Sequence, residues 1–323
     1  MSYPYDPEVD AMAAYAPPID LTDIAASREL LSQATASLPP FAPEPGVELT
    51  QLIASGADAD PPVDLFILRP DNTPTNTTRP ALLWFHGGGF VLGDARESLP
   101  FLDAAARATG AITISVQHRL SPEATFPAPV DDAAAALHWV VAHAAELGLD
   151  PDRIALGGQS AGAAIAASLA QRLRDAGGPR IVFQLLDIPV TDDRVATESA
   201  LHYGDGLLWN TSNAKLGWRA YLGDAEGQVP SYAAPARCED LSGLPPAFVT
   251  VAQFDPLRDE GIEYARRLAQ ANVPTELHLY GGTFHGSSGI AADAAVSRRQ
   301  NADLIAALGR AISPITPVND ERN

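Results

Sequence analysis

The stretch that most limits how this chain can fold is Gly158-Gln159-Ser160-Ala161-Gly162, a Gly-x-Ser-x-Gly pattern between an apolar run and an alanine-rich one. Arg153-Ile154-Ala155-Leu156-Gly157 reads as a short buried strand, and Ala161 through Arg174 carries helix formers with no proline. The serine therefore falls where strand turns into helix. Backbone at so tight a turn is strained and side chains on its neighbours would clash, so Gly158 and Gly162 supply the room. The five residues are a candidate nucleophile elbow. Taken alone, they are equally a strand-to-helix turn that happens to contain serine, and the rest of the chain must decide.

The remaining apolar runs set a rhythm. Val47 to Ile53 and Val63 to Arg69 read as strands, with an antiparallel start, and the polar stretch Asp71 to Arg79 reads as a loop. From there Ala81 to Phe85, Ala111 to Val116, Arg153 to Gly157, Ile181 to Leu186, Ala247 to Val251 and Thr275 to Tyr280 alternate with helical patterns. That is the signature of an α/β chain with a parallel sheet. Helices are expected over Asp131 to Glu146 and Leu257 to Ala271, with acidic residues near the first start and Arg266 and Arg267 near the second end. The interval from Leu186 to Ala247 breaks the rhythm. It carries Trp209, Trp218, Tyr221 and Leu222 on an expected helix, and a lid insertion fits it better than an unstructured loop of that length. The first 45 residues are acidic and proline-punctuated, with one helix expected around Leu21 to Gln33, and the tail after Ile312 is expected to be flexible.

Composition removes several functional classes. A formal net charge of -19 repels nucleic acid and anionic membrane surfaces, so neither is an expected partner. With 46% hydrophobic and 19% charged residues the chain is globular rather than disordered, and no run reaches the roughly 20 apolar residues of a membrane span. Met1 to Asp10 contains Asp6, Glu8 and Asp10 without a basic residue, which is not a secretory leader, so a cytoplasmic location is expected. The single cysteine, Cys238, gives neither an internal disulfide nor a metal cluster and reads as a structural thiol. Asn76-Thr77-Thr78 and Asn210-Thr211-Ser212 match the glycosylation pattern and read as chance matches in polar loops.

A serine hydroxyl is a weak nucleophile at neutral pH, so Ser160 requires a histidine to take its proton and a carboxylate to orient that histidine. When the order is serine, acid, histidine, only His202, His278 and His285 qualify. His202 lies in the lid interval and His278 inside a strand pattern. His285 follows the last strand through Gly281-Gly282-Thr283-Phe284, read as a loop, and is the candidate base. Asp255 follows the strand Ala247 to Val251 and is the favoured acid, although Asp before Pro256 also suits a helix N-cap. Asp187, just after Ile181 to Leu186, is the competitor. His86-Gly87-Gly88-Gly89-Phe90 follows the strand expected beside that of the serine, and its glycines let backbone amides turn toward an oxyanion.

Five ordered stretches carry a family resemblance: His86 to Phe90; His118-Arg119-Leu120-Ser121-Pro122-Glu123 with Phe126-Pro127-Ala128-Pro129; Gly158 to Gly162; Asp255 to Gly261; and Phe284-His285-Gly286. Over roughly residues 80 to 290 the chain resembles the bacterial hormone-sensitive lipase family (family IV) of esterases in the α/β-hydrolase superfamily. The resemblance implies a mostly parallel eight-stranded sheet flanked by helices, with a helical cap. The implied layout is a cap segment at 1–45, a catalytic domain at 46–189 and 236–312, a cap insertion at 190–235 and a tail at 313–323. It further implies Ser160 as nucleophile, His285 as general base and acid, and Asp255 as orienting carboxylate. The amides of Gly88, Gly89 and Ala161 would form the oxyanion hole, and His86, Gly87 and Gln159 would support it. The expected activity is that of a serine carboxylesterase on short- to medium-chain acyl esters, with no cofactor or metal, a small-molecule ester as partner, and a monomer or homodimer as the working unit. The same residues would serve an amidase, carbamate hydrolase or lactonase, and the scaffold also hosts non-catalytic small-molecule receptors. Two departures stand out. Gln159 replaces the aspartate or threonine usual before the nucleophile, removing a charge there, so Gln159→Asp is expected to keep activity with an altered pH dependence. Ser287 and Ser288 replace an aromatic after His-Gly, making the pocket wall smaller and more polar.

Overall fold

The computed structural model describes residues 3–37, 39–56, 60–71, 78–223 and 228–313. The apolar runs become β1 (Val47–Ala54), β2 (Val63–Pro70), β3 (Arg79–Phe85), β4 (Ile112–Val116), β5 (Leu149–Gln159), β6 (Ile181–Asp187), β7 (Ala247–Phe254) and β8 (Thr275–Phe284). They form one sheet ordered β1-β2-β4-β3-β5-β6-β7-β8, antiparallel at β1/β2 and β2/β4 and parallel elsewhere. Central strands covered on both faces have no reason to alternate, and Ile154 to Leu156 of β5 and Ala81 to Phe85 of β3 are all buried. The edge strand β1 mixes covered and exposed residues instead.

The helices are α1 (Pro7–Ala13), α2 (Ile24–Ala36), α3 (Leu99–Thr109), α4 (Ala128–Ala142), α5 (Ala144–Leu147), α6 (Ala161–Ala176), α7 (Glu198–His202), α8 (Thr211–Leu222), α9 (Arg258–Gln270), α10 (Ser287–Ile290) and α11 (Ala295–Ile312). Leu102 of α3 and Leu304 and Leu308 of α11 pack with Leu82, Leu185 and Phe248 on one side of the sheet. The apolar faces of α4, α6 and α9 cover the other. Because β3 lies between β4 and β5, the winding reverses at β3, and a crevice opens at the strands' C-terminal ends, where open α/β sheets hold their ligands. Helix α6 presses tightly against this point: a Cβ on Gly162 would lie 2.0 Å from the Phe85 carbonyl oxygen, and one on Gly158 would lie 2.4 Å from the backbone of Gly162.

Several local expectations change. Gly281 to Phe284 continue β8 rather than forming a loop, because Phe284 pairs with Phe254 across a register shift and the amide of Gly282 donates to the Gln253 side chain at 2.8 Å. The helix expected over Asp131 to Glu146 starts at Ala128, since Pro129 is tolerated in a first turn, and is interrupted at His143. Trp209 precedes α8, whose N-cap is Asn210, so only Trp218, Tyr221 and Leu222 lie on that helix. Asn210 spends its side chain on that cap, accepting from the Asn213 amide at 2.8 Å. The N-terminal segment holds two helices rather than one. The extra one, α1, is capped by Asp6 with Pro7 in its first turn, a start signal present in the sequence.

The N-terminal segment and the 190–235 interval meet. The Asn213 side chain accepts from the Leu21 amide at 3.0 Å and donates to the Ile19 carbonyl at 2.9 Å. Arg28 of α2 donates to the carbonyls of Val91 and Ser121 and pairs with Glu123, each at 2.8 Å. Among the described residues no helix is long and apolar enough to cross a membrane. Asn76 and Thr77 of the other glycosylation-type match, and residues 314–323 of the expected tail, lie outside the described residues.

Candidate active site

The elbow turns as its glycines allow. Ser160 has φ 55 and ψ -117, a conformation that non-glycine residues rarely adopt, between the end of β5 and the first turn of α6. Its backbone is held on both sides: the amide donates to the Asp187 carbonyl at 2.8 Å, and its carbonyl accepts from Ala163 at 3.1 Å and Val190 at 3.2 Å. The side chain is left for another partner. Ser160 Oγ lies 2.8 Å from His285 Nε2, and His285 Nδ1 lies 2.7 Å from Asp255 Oδ2. With Nδ1–H donated to the carboxylate, Nε2 presents a lone pair to the serine hydroxyl. Ser160 and His285 are 5% exposed and Asp255 1%, so little water competes for these bonds.

The acid alternatives separate in space. Asp255, at the end of β7, reaches the histidine and also satisfies the helix-start reading, because its Oδ1 accepts from the Leu257 amide at 2.8 Å. Asp187, at the end of β6, bonds instead to Gln159 Nε2 at 2.8 Å, Thr250 Oγ1 at 2.5 Å and Gln300 Nε2 at 2.7 Å. The elbow therefore does have a carboxylate beside it. Gln159 removes a charge at its own position while gripping one supplied from the next strand, which corrects the expectation drawn from position 159 alone. Thr250 and Gln300 carried no motif and became visible only in the folded chain.

The glycine loop leaves β3 with φ +115 at Gly88 and φ +60 at Gly89, and Gly87 packs against the backbone of Gln159. Among the described residues no hydrogen bond occupies the amides of Gly88, Gly89 or Ala161. Ala161 is the first residue of α6, whose opening amides have no intrahelical acceptor. Gly89 abuts the ring of Trp209, which also lies 6.2 Å from the His285 ring. The cavity in front of Ser160 has a volume of about 610 Å³. Leu31, Phe101, Leu208, Trp209 and Ile305 give it apolar walls, while Glu97, Asp187 and Ser288 contribute polar groups. Ser287 is buried beside Ser288 but does not line the cavity.

His86 lies beneath the loop, its Nδ1–H donating to the Gly87 carbonyl at 2.8 Å and its ring stacked on His118 at 4.1 Å. Burial first, and the neighbouring His118 second, push the His86 pKa down to about 3, and burial also lowers that of His118. Both folded values lie below the unfolded one, so the unfolded chain takes up these protons first. Their contribution to stability is present above about pH 6.5 and is lost as pH falls, for His86 down to about 3 at up to ~1.4 kcal/mol per pH unit. Thermal unfolding should show a melting temperature that falls steadily between pH 6.5 and 4.5, and a flat profile there would refute the assignment of two buried neutral imidazoles.

Known proteins resemble this chain both in sequence and in fold. Residues 82–288 match a family described as an alpha/beta hydrolase fold. Esterase LipI of Mycobacterium tuberculosis is 39% identical over 264 residues, 81% of this chain and 82% of that protein. Carboxylesterase NlhH of the same organism is 41% identical over 237 residues, 72% of this chain and 74% of that protein. A solved structure named bacterial heroin esterase superposes with a TM-score of 0.91 at 45% identity, covering 96% of this chain and 99% of that one.

Proposed function

This chain belongs to the hormone-sensitive-lipase-like alpha/beta hydrolase family, and from that membership we propose that it is a serine carboxylic ester hydrolase working through an acyl-enzyme intermediate. The observation that carries the reading is the buried relay from Ser160 to His285 to Asp255, with contacts of 2.8 and 2.7 Å, beneath a loop whose amides have no other partner among the described residues. Ser160 Oγ attacks the ester carbonyl carbon as His285 Nε2 takes its proton, and Asp255 stabilises the imidazolium that forms. The amides of Gly88, Gly89 and Ala161 meet the negative charge on the carbonyl oxygen. His285 then returns its proton to the departing alcohol oxygen, and water, activated by the same histidine, releases the acid.

The walls narrow the substrate. Segments 1–45 and 190–235 act as the cap: Pro17, Ile19 and Leu31 from the first and Leu208 and Trp209 from the second line the cavity, and the Asn213 bonds tie the two together. A cavity of about 610 Å³ suits short to medium acyl chains. Among the described residues no lysine or arginine lines it, whereas Asp187 and Glu97 do; burial pushes the Glu97 carboxyl up to about 7, so above that pH a carboxylate on the acyl chain meets repulsion from both without a counter-ion. The single cysteine is a buried free thiol donating to the Asp240 carbonyl at 3.1 Å, a structural use that suits the reducing conditions of a cytoplasm.

Hydrolysis of p-nitrophenyl esters of increasing acyl length tests the reading. Activity is expected to peak at short or medium chains, and inactivity across the series would defeat it. At about pH 8, where Glu97 is mostly ionised, mono-p-nitrophenyl succinate, compared with the butyrate, should show a kcat/KM lower by at least about tenfold. Equal values would show that the two carboxylates do not govern selection.

A further inference from the structure

Asp187 is a buried carboxylate that takes part in no step of the proposed reaction. It is 2% exposed, and no lysine or arginine forms an ion pair with it among the described residues. Both oxygens are nonetheless occupied: Oδ2 accepts from Gln159, and Oδ1 accepts from Thr250 and Gln300. Three neutral donors solvate the charge without cancelling it, so its field persists in the protein interior. The residue is also tied to the nucleophile by backbone. Its carbonyl accepts the Ser160 amide at 2.8 Å, and Gln159 and Asp187 are register partners across β5 and β6. Gln159 points one end of its amide at Asp187 while its Oε1 lies toward Gly87, where a Cβ would stand 3.7 Å away. It thus lies between the glycine loop and the carboxylate, and both residues line the cavity with Ser160 and His285.

We infer that Asp187 and Gln159 form a positioning pair for the catalytic centre, in which a buried negative charge brought by β6 and held by the residue before the nucleophile supports the imidazolium formed on His285. The inference rests on the esterase reading and adds a second carboxylate to it. Asp255 touches the histidine directly and orients it, whereas Asp187 acts through the elbow and through its field. The other ionisable groups facing this centre are His86 from the glycine loop with His118 stacked on it, Glu97 from the cavity wall, the buried Glu260 of α9 beside Asp255, and Tyr280 of β8, the last bonded to Asp303 of α11 and covered by Arg299. Glutamine at 159 follows from the arrangement, because an acid there would face Asp187 across a hydrogen-bond distance. The outcome expected for Gln159→Asp from the sequence is revised accordingly, to a loss of activity from two crowded carboxylates.

An isosteric series separates charge from hydrogen bonding. In Asp187→Asn the Gln159 amide can turn over to accept from the new Nδ2, while Thr250 and Gln300 still donate to Oδ1, so the bonds persist and the charge is gone. In the double variant Gln159→Glu/Asp187→Asn the same bonds persist and the charge moves one side chain toward the elbow. The measurement is kcat/KM for p-nitrophenyl butyrate against pH, with a melting curve for each protein. For Asp187→Asn the acid limb should move down by about half a pH unit, because the protonated histidine loses a nearby negative charge, and kcat should fall about three- to tenfold. The double variant should move the limb above the wild-type position, because the charge then stands one side chain nearer the elbow, and recover most of the rate, whereas Gln159→Glu alone should melt lowest. Acid limbs that superimpose for the wild type, Asp187→Asn and the double variant would reduce the pair to structural glue. If Asp187→Asn does not fold, an unmoved limb in the double variant overturns the inference equally. Wild-type inactivity toward every ester would strike the esterase reading itself, a result distinct from active enzymes with superimposed profiles.

Discussion

Ser160→Ala should abolish ester hydrolysis, lowering kcat by about five orders of magnitude or more, while leaving the fold and melting temperature intact. The separation of the two effects follows from how the residue is held. Its unusual backbone conformation is secured by the bonds of its own amide and carbonyl to Asp187, Ala163 and Val190, none of which uses the hydroxyl. Alanine keeps the Cβ and therefore adds no new strain at φ 55. The hydroxyl's bond runs to His285 Nε2, so its loss removes the nucleophile and little else. The check is kcat for p-nitrophenyl butyrate together with a melting curve. A residual rate within about a hundredfold of wild type, in a protein that melts normally, would move the nucleophile away from Ser160.

The second large effect belongs to the glycine loop. A methyl group on Gly88 would lie 2.1 Å from the Leu92 carbonyl oxygen and 2.4 Å from its carbon, at φ +115, where side chains are strained in any case. The atoms it meets are backbone, so no rotamer change relieves the contact, and the loop must shift and turn its amides away from the position of the oxyanion. Gly88→Ala should therefore lower kcat by roughly a hundred- to a thousandfold with a much smaller change in KM. Gly89→Ala is the informative contrast. Its Cβ would lie 2.0 Å from Trp209, a side chain of the 190–235 segment that can be displaced. That variant should move KM and acyl-length preference more than kcat. Similar kcat losses from both would indicate that the whole loop, rather than one amide, had collapsed.

The corrections to the sequence reading share a cause. Gly281 and Gly282 look like a loop because glycines usually break strands, but β7 beside them supplies a partner across a register shift that no local pattern displays. Gln159 looks like the loss of a charge because its partner lies 28 residues away, on a strand that becomes its neighbour only in the sheet. Glu97, Phe101 and Ile305 carry no motif; Phe101 and Ile305 line the cavity because α3 and α11 pack on the same side of the sheet, and Glu97 lies in the 3-10 turn that leads into α3.

What was legible in the residues was whatever depends on short-range geometry. The glycines at 158 and 162 permit only a close strand-to-helix turn, the apolar runs report strands buried on both faces, and the order of serine, aspartate and histidine follows the chain. The choice between Asp255 and Asp187 was of a different kind. Each follows a parallel strand at its C-terminal end, and by sequence each could orient a histidine. Only the placement of β8 beside β7, with β6 one strand nearer the elbow, delivers His285 to Asp255 and leaves Asp187 to Gln159, Thr250 and Gln300. Hydrogen bonds reach about 3 Å, whereas strand order is set by packing over the whole sheet. Local sequence therefore determines which groups can do chemistry, and tertiary structure decides which of them meet.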